Sequence, residues 1–281
     1  VPSLDLDTPY YLGFIEEGRT DKNGLILDPC IFFSMSENRL YNELAWTWEI
    51  LVSEEEYIPE AKFIDKIIGK YKKTSGNELL DVGCGAGHHD LLLKDNYQVV
   101  GVDQGDKMLE LARKRNPELE YLHGDMRTFD LNRKFDVVMA MDMLMYNLSY
   151  SDLEKTFRNF SEHLKPGGLL LFYVENIKDK FEQNKTRFKK HKKGDVEIVL
   201  IENDYDSNPD DTEFECHLIF LIRKGGKLEI EVDKHCMGLF ELRRMIRILK
   251  DLQFKSYLYE LDFSGRKYSE TGPFFVCQKL S

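Results

Sequence analysis

The segment Leu79-Leu80-Asp81-Val82-Gly83-Cys84-Gly85-Ala86-Gly87 constrains this chain more than any other. An apolar run of strand length passes straight into three glycines at G-x-G-x-G spacing, and a helix-length segment follows at about 87–95. Glycine tolerates positive φ and lets a ligand approach the backbone closely. The free amides at the start of the next helix add polar donors. A dinucleotide fingerprint reads G-x-G-x-x-G, and here the third glycine comes one residue early. By itself the motif fits a ligand cradle or a tight strand-to-helix turn without a ligand.

Its surroundings narrow the choice. Val99-Val100-Gly101-Val102-Asp103 closes a second strand with a carboxylate, 20 positions beyond Gly83. An acid there sits across the crevice of a doubly wound sheet and can accept bonds from both hydroxyls of a ribose. Gly124-Asp125-Met126 follows a third strand at Leu119–Leu122. Phe135–Met141 supplies a fourth, and Leu164-Lys165-Pro166-Gly167-Gly168 leads into a fifth at Gly168–Glu175. Helical segments near 105–115 and 150–164 separate these runs. Strands this apolar, alternating with helices, predict a parallel sheet covered on both faces. Three glycines and two acids at consecutive strand ends then mark one nucleoside site at the carboxyl edge.

After Glu175 the period changes to two. Val196–Ile201, Phe214–Ile222 and Leu228–Cys236 each carry one apolar face, and Gly225-Gly226 between the last two is a tight-hairpin signal. The α/β pattern returns with a helix at about 239–251 and strands at Lys255–Leu261 and Pro273–Gln278. Before the glycine motif, Glu37 to about Lys73 reads as helical with a break near Pro59, and Phe63, Ile64, Ile67, Ile68 and Tyr71 form one buried face. The expected fold is α/β: a Rossmann-like, doubly wound, mostly parallel seven-stranded sheet with an N-terminal helical cap and an inserted three-stranded antiparallel sheet. The expected division is an arm at 1–36, the cap at 37–75, the main domain at 76–177 and 236–281, and the insertion at 178–235. The chain opens at Val1 and not Met, which suggests a processed or truncated start, and Met35 would begin the remainder naturally.

A formal charge of −11 argues against a nucleic-acid partner, because duplex binding runs on a basic surface. No apolar run approaches the roughly 18 residues of a membrane span, and no signal peptide is visible. Five scattered cysteines without a C-x-x-C pair, and seven histidines without H-E-x-x-H spacing, predict reduced thiols, a cytoplasmic location and no metal.

With these motifs in this order, from about Tyr41 to Gln278, the chain resembles the class I S-adenosylmethionine-dependent methyltransferases. The resemblance implies S-adenosylmethionine as cofactor and S-adenosylhomocysteine as product. It implies that the loop around Gly83, Cys84 and Gly85 meets the methionyl part, with Asp81 beside its ammonium. Asp103, followed by Gln104, would hold the ribose and Met108 would cover the adenine. Asp125 would accept from the adenine amino group, while the Met126 amide meets the ring. Met139–Tyr146, including Met141 and Tyr146, would line the methyl-transfer site.

A narrower resemblance rests on His123-Gly124-Asp125-Met126-Arg127-Thr128-Phe129, on the antiparallel insertion after strand five and on His235-Cys236-Met237-Gly238-Leu239-Phe240. These are similar to the TDP-amino-sugar N,N-dimethyltransferases and their uncharacterised relatives. Leu40-Tyr41-Asn42-Glu43-Leu44-Ala45-Trp46-Thr47-Trp48 resembles their cofactor-covering helix, which brings in Tyr41 and Trp48. An amine acceptor must lose its proton before it attacks the methyl carbon in line at roughly 3 Å. Candidates to assist are Asp142 and Tyr146 after strand four, Glu175 and Asn176 after strand five, and His235 where the insertion ends. The expected partner is thus a small-molecule acceptor.

Residues 178–193 hold eight basic residues against two acidic ones, while Glu202, Asp204, Asp206, Asp210, Asp211, Glu213 and Glu215 form an acidic run. The basic run reads as a solvated loop, as an anchor for a nucleotide-sugar diphosphate or as a polymer contact. The two runs could also pair, within one chain or across a homodimer formed through the insertion. Alternatives left open at this point are an RNA or protein methyltransferase using the basic run, and a cofactor-binding protein without turnover.

Overall fold

The structure, a computed structural model, describes residues 38–261 and 272–280. The expected arm at 1–36 lies outside the described residues.

Seven strands form the main sheet: β1 Glu78–Val82, β2 Gln98–Asp103, β3 Glu120–His123, β4 Phe135–Ala140, β5 Leu164–Tyr173, β10 Phe254–Leu261 and β11 Gly272–Lys279. Their order is β10-β11-β5-β4-β1-β2-β3. β1 pairs in parallel with both β2 and β4, so the winding reverses between β1 and β4. Only β11 runs antiparallel to its neighbours, β5 and β10. All six residues of β4 are buried, as the continuous apolar run requires of a central strand. Helices α3 His88–Leu93, α4 Asp106–Arg115, α5 Tyr150–Glu162 and α6 Leu242–Asp251 accompany the strands. One core forms around Val82, Val138, Phe157, Phe172 and Phe275. A second gathers Ile64, Leu79, Val137, Leu171 and Phe274 under α2 Glu54–Tyr71.

Helix α2 corrects the expected break at Pro59. It begins after Ser53 in a capping box with Glu56, whose Oε1 accepts the Ser53 amide at 3.2 Å, and runs through Pro59 to Tyr71. Pro59 lies in the second turn, where its missing donor removes only the bond to the Glu55 carbonyl. The real interruption falls at Val52–Ser53. Before it the cap is a chain of 3-10 turns, Arg39–Tyr41 and Ala45–Thr47, followed by the single turn α1 Trp48–Leu51. It is not a continuous helix.

The insertion has four strands, one more than expected: β6 Lys185–Lys193, β7 Val196–Tyr205, β8 Glu213–Lys224 and β9 Lys227–Gly238, in antiparallel order. β6 is the basic run that read as a loop. A two-residue turn at Gly194-Asp195 joins it to β7. The second hairpin turns at Gly225-Gly226, both with positive φ. The basic and acidic runs pair within one chain, where Arg187 meets Glu202 and Asp204. The inner face of the sheet (Ile198, Leu200, Cys216, Leu218, Phe220) packs on Leu40, Leu44 and Leu51 of the cap. Its outer face leaves Phe188, Leu228, Ile230 and Val232 exposed. The insertion leaves and rejoins the main domain at one place, where Ile177 bridges Phe240.

Among the described residues Cys84, Cys216 and Cys277 are free and buried. Among the described residues no helix is long and apolar enough to cross a membrane.

Candidate active site

The carboxyl ends of β1, β2 and β4 open onto a cavity of about 320 Å³, roofed by the cap and walled by the insertion. Its position is the crevice that winding reversal creates beside β1. Gly83, Gly85 and Gly87 all take φ between +52° and +72°, the left-handed region that glycine adopts freely. Their reasons differ. A Cβ on Gly83 would come within 2.7 Å of Met143 Cβ, and one on Gly87 within 2.6 Å of the Tyr121 hydroxyl, so both are small for packing. A Cβ on Gly85 meets nothing within 4 Å, and Gly85 lines the cavity. That residue leaves room for a ligand.

Asp103 stands beside it. Its Oδ2 accepts the Gly85 amide at 2.8 Å and its Oδ1 accepts the Gly105 amide at 2.7 Å. Burial raises this carboxyl above the usual carboxylate range, and the two amides offset part of that. Each oxygen still has a lone pair for a ligand hydroxyl. Met108, Gly124 and Met126 continue the wall as an apolar slot, and Tyr41, Trp48, Cys84, Gln104 and Met141 also line the cavity.

Two expected cofactor residues lie off this wall. Asp125 closes an ion pair with Arg127, Nη2 to Oδ2 at 2.6 Å and Nε to Oδ1 at 2.9 Å. Burial works against that carboxylate, but Arg127 outweighs it and holds the group below the usual range. Gln104 also hydrogen-bonds Asp125, tying it to the cavity edge indirectly. Asp81 is buried against Asp90, which accepts the Tyr121 hydroxyl at 2.8 Å. Burial first, then the Asp90 charge, raises the Asp81 carboxyl well above its ordinary value.

A raised carboxyl favours folding fully below the unfolded pKa, about 3.9, and loses that contribution as pH climbs through the folded value. Asn at position 81 keeps a donor for Asp90 without the titration. Asp81→Asn is therefore expected to melt near the wild-type temperature at pH 4 and above it at pH 8. Thermal melts across that range check this, and a gap that does not grow with pH would contradict it.

A polar end of the cavity escaped the sequence reading. Tyr57 and Glu60 on α2 face His88 and His89 at the start of α3. Tyr57 stacks on His88 at 4.7 Å between centroids and 12° between planes. Burial, then the nearby Arg115, pushes His88 down to about 3, so its ring is neutral. Glu60 Oε2 lies 3.1 Å from His89 Nε2, out of line for a hydrogen bond, and leaves that buried nitrogen without one. The signal was present as two histidines directly after the loop and one glutamate beside the apolar stripe of α2.

The residues nominated for methyl-acceptor chemistry do converge. The Tyr146 hydroxyl is 2.6 Å from the Tyr41 hydroxyl and 2.8 Å from His235 Nδ1. His235 Nε2 is 2.8 Å from Asp233 Oδ2, which also accepts the Leu40 amide at 2.8 Å. His235 is fully buried. Glu175 Oε1 sits 3.2 Å from Arg187 Nη1, and Arg187 also reaches Glu202 Oε2 at 3.3 Å and Asp204 Oδ2 at 3.0 Å. Asp142, with φ of +49°, and Asn176 complete this side.

The sheet order, the glycine loop and the acid after β2 define a nucleoside-binding α/β protein whose cavity has a second wall in the insertion. Comparison with known proteins agrees. A family model described as a methyltransferase domain matches residues 79–168. A protein of Geobacillus sp. (strain WCH70), provisionally named a methyltransferase, is 30% identical over 251 residues, covering 85% of this chain and 99% of its own length. The chain belongs to the class I S-adenosylmethionine-dependent methyltransferases. The dTDP-3-amino-3,4,6-trideoxy-alpha-D-glucopyranose N,N-dimethyltransferase of Streptomyces venezuelae is 35% identical over 118 residues, 41% of this chain and 49% of that protein. The crystal structure of Streptomyces venezuelae DesVI matches the fold with a TM-score of 0.72 at 21% identity, covering 89% of this chain and 99% of that one.

Proposed function

We propose that this methyltransferase acts on nitrogen of a small molecule, with a nucleotide-linked amino sugar as the leading acceptor. The observation that carries the reading is a single cavity shared by two walls. One is the Gly85–Asp103 edge of the main domain, and the other is the charged face of the insertion around Arg187. The names of partial relatives, the dTDP-amino-sugar N,N-dimethyltransferases, support the acceptor class.

The residues present fit the cofactor. The open space over Gly85, the two lone pairs of Asp103, the slot between Met108 and Met126 and the orphaned His89 nitrogen suit a ligand with three distinct parts. It would be flat and apolar at one end, hydroxylated in the middle and charged at the other. Asp103 would hold the ribose, Met108 and Met126 the adenine, Glu60 and His89 the amino-acid end, and Tyr41 and Trp48 the roof. When bound, S-adenosylmethionine supplies an electrophilic methyl group on a sulfonium. The chain contributes positioning and the exclusion of water, since the cap and the insertion close over the site. Tyr146 and His235 assist deprotonation, and Glu175 and Arg187 orient the acceptor. Arg187 and Lys189 face the cavity from a paired strand, which suits a small ligand better than a polymer groove.

The test supplies methyl-labelled S-adenosylmethionine with TDP-amino sugars, the same sugars lacking the amine, glycine-type amines and bulk tRNA. Label is expected on an amino sugar and absent from its deamino analogue. Label in tRNA alone, or on none with cofactor still bound, would overturn the acceptor reading.

A further inference from the structure

We propose that Asp233 is the positioning residue of a buried proton relay that leads from the acceptor amine through Tyr41 and Tyr146 to His235. The inference rests on the nitrogen-acceptor reading above.

The direction follows link by link. Burial opposes ionisation of Asp233, but its bonds to His235 and to the Leu40 amide hold the carboxyl below its ordinary range, so it is ionised and only accepts. The 2.8 Å contact from Asp233 Oδ2 then requires the proton of the neutral imidazole to sit on Nε2. Nδ1 is left with a lone pair, and at 2.8 Å it accepts the Tyr146 hydroxyl. With its own proton donated, the Tyr146 oxygen accepts the Tyr41 hydroxyl at 2.6 Å. Tyr41 lines the cavity and keeps a lone pair for an incoming proton. His235, with no exposed surface, never needs to touch the acceptor.

The proton balance is complete. The N–H bond of the acceptor ammonium breaks as its proton forms a bond to the Tyr41 oxygen. The Tyr41 proton passes to Tyr146, and the Tyr146 proton passes to His235 Nδ1. The amine becomes neutral and nucleophilic, and the imidazolium faces the Asp233 carboxylate. Burial disfavours a tyrosinate at either position, so the transfers are concerted.

The other groups facing this chain are few. Cys216 on β8 stands in register with His235, and burial pushes its thiol up and keeps it neutral. Arg39 in the cap is paired with Glu43 and Glu231. The charges of Asp103 and Asp142 reach Tyr41 from the main domain.

Two readouts test the relay. The 15N spectrum of His235 in the whole protein is expected to show a protonated Nε2 and an unprotonated Nδ1 that Tyr146→Phe perturbs. A proton on Nδ1 of the neutral ring would overturn the proposal without any acceptor being present. With an amine acceptor, Tyr146→Phe is expected to lower kcat on the order of a hundredfold. Asp233→Asn removes the charge beside the imidazole, and the acid limb of the pH–rate profile is expected to move down by about one pH unit. Asp233→Glu should return that limb towards its original place. A purely structural Asp233, fastening Leu40 to the insertion, would lower the melting temperature of Asp233→Asn and leave the acid limb unmoved. That result would overturn the relay. Turnover with a non-amine acceptor alone would overturn the nitrogen reading, which the spectrum of His235 does not decide.

Discussion

Asp103→Ala is expected to weaken S-adenosylmethionine binding by at least about tenfold. Hydrogen bonds to a charged group contribute about 1.5–3 kcal/mol each, and 1.4 kcal/mol is one factor of ten. Asp103 would lose its bonds to a ribose and also its hold on the Gly85 and Gly105 amides, at 2.8 and 2.7 Å. Those two bonds fix the glycine loop against the start of α4, so the alanine variant loses both the acceptor and the shape of the cradle. Asp103→Asn keeps one acceptor oxygen and should fall between the two. Isothermal titration with the cofactor measures the series, and a dissociation constant for the alanine variant within twofold of wild type would make the ribose assignment wrong.

The glycine loop should separate binding from folding. At Gly85 alanine adds a methyl group into the open side of the cavity, together with left-handed strain of about 1–2 kcal/mol. Cofactor binding is expected to be lost or nearly so, with a modest fall in melting temperature. At Gly83 the same methyl group collides with the Met143 side chain, 2.7 Å from its Cβ. Overpacking of about 1–3 kcal/mol then adds to the strain, and stability should fall further than in Gly85→Ala. Melting curves and titrations on the two variants provide the check. Equal loss of stability would mean that the loop has no ligand-facing member.

The expected strands of the main sheet were legible because their faces are apolar on both sides and their ends carry glycine or acid. The hairpin at Gly225-Gly226 was legible for a similar reason, since two consecutive positive φ values leave little choice of residue. Strand β6 was not. Its inward positions, Arg187 and Lys189, are basic, so the period of two is present in charge and invisible in hydrophobicity. They face inward because Glu175, Glu202 and Asp204 wait there, and those acids come from β7 and from the loop after β5. Pro59 misled for the opposite reason: a local rule against proline inside a helix was outweighed by a capping box and a buried face.

The site divides along the same line. Asp103 and the glycine loop could be read directly, because their chemistry depends on backbone conformation and on the position of a strand end. Asp125 sat in the right motif, yet its carboxylate closes on Arg127, two residues away. Glu60 and His89 carried only a faint local signal and Asp233 none, because a lone acid or histidine has no meaning until a partner from another element faces it.

The sequence alone therefore determined the parallel sheet, the glycine cradle and the presence of an insertion, each written in short-range periodicity or in residues that only one backbone shape accepts, while the cofactor class was implied by the resemblance that the order of motifs carries. The tertiary structure decided which side chains share the cavity, that the basic run is a strand, and that His235 lies behind Tyr146 with Asp233 at its back. Those are contacts between residues up to about two hundred positions apart, and only the packing of cap, sheet and insertion sets such distances.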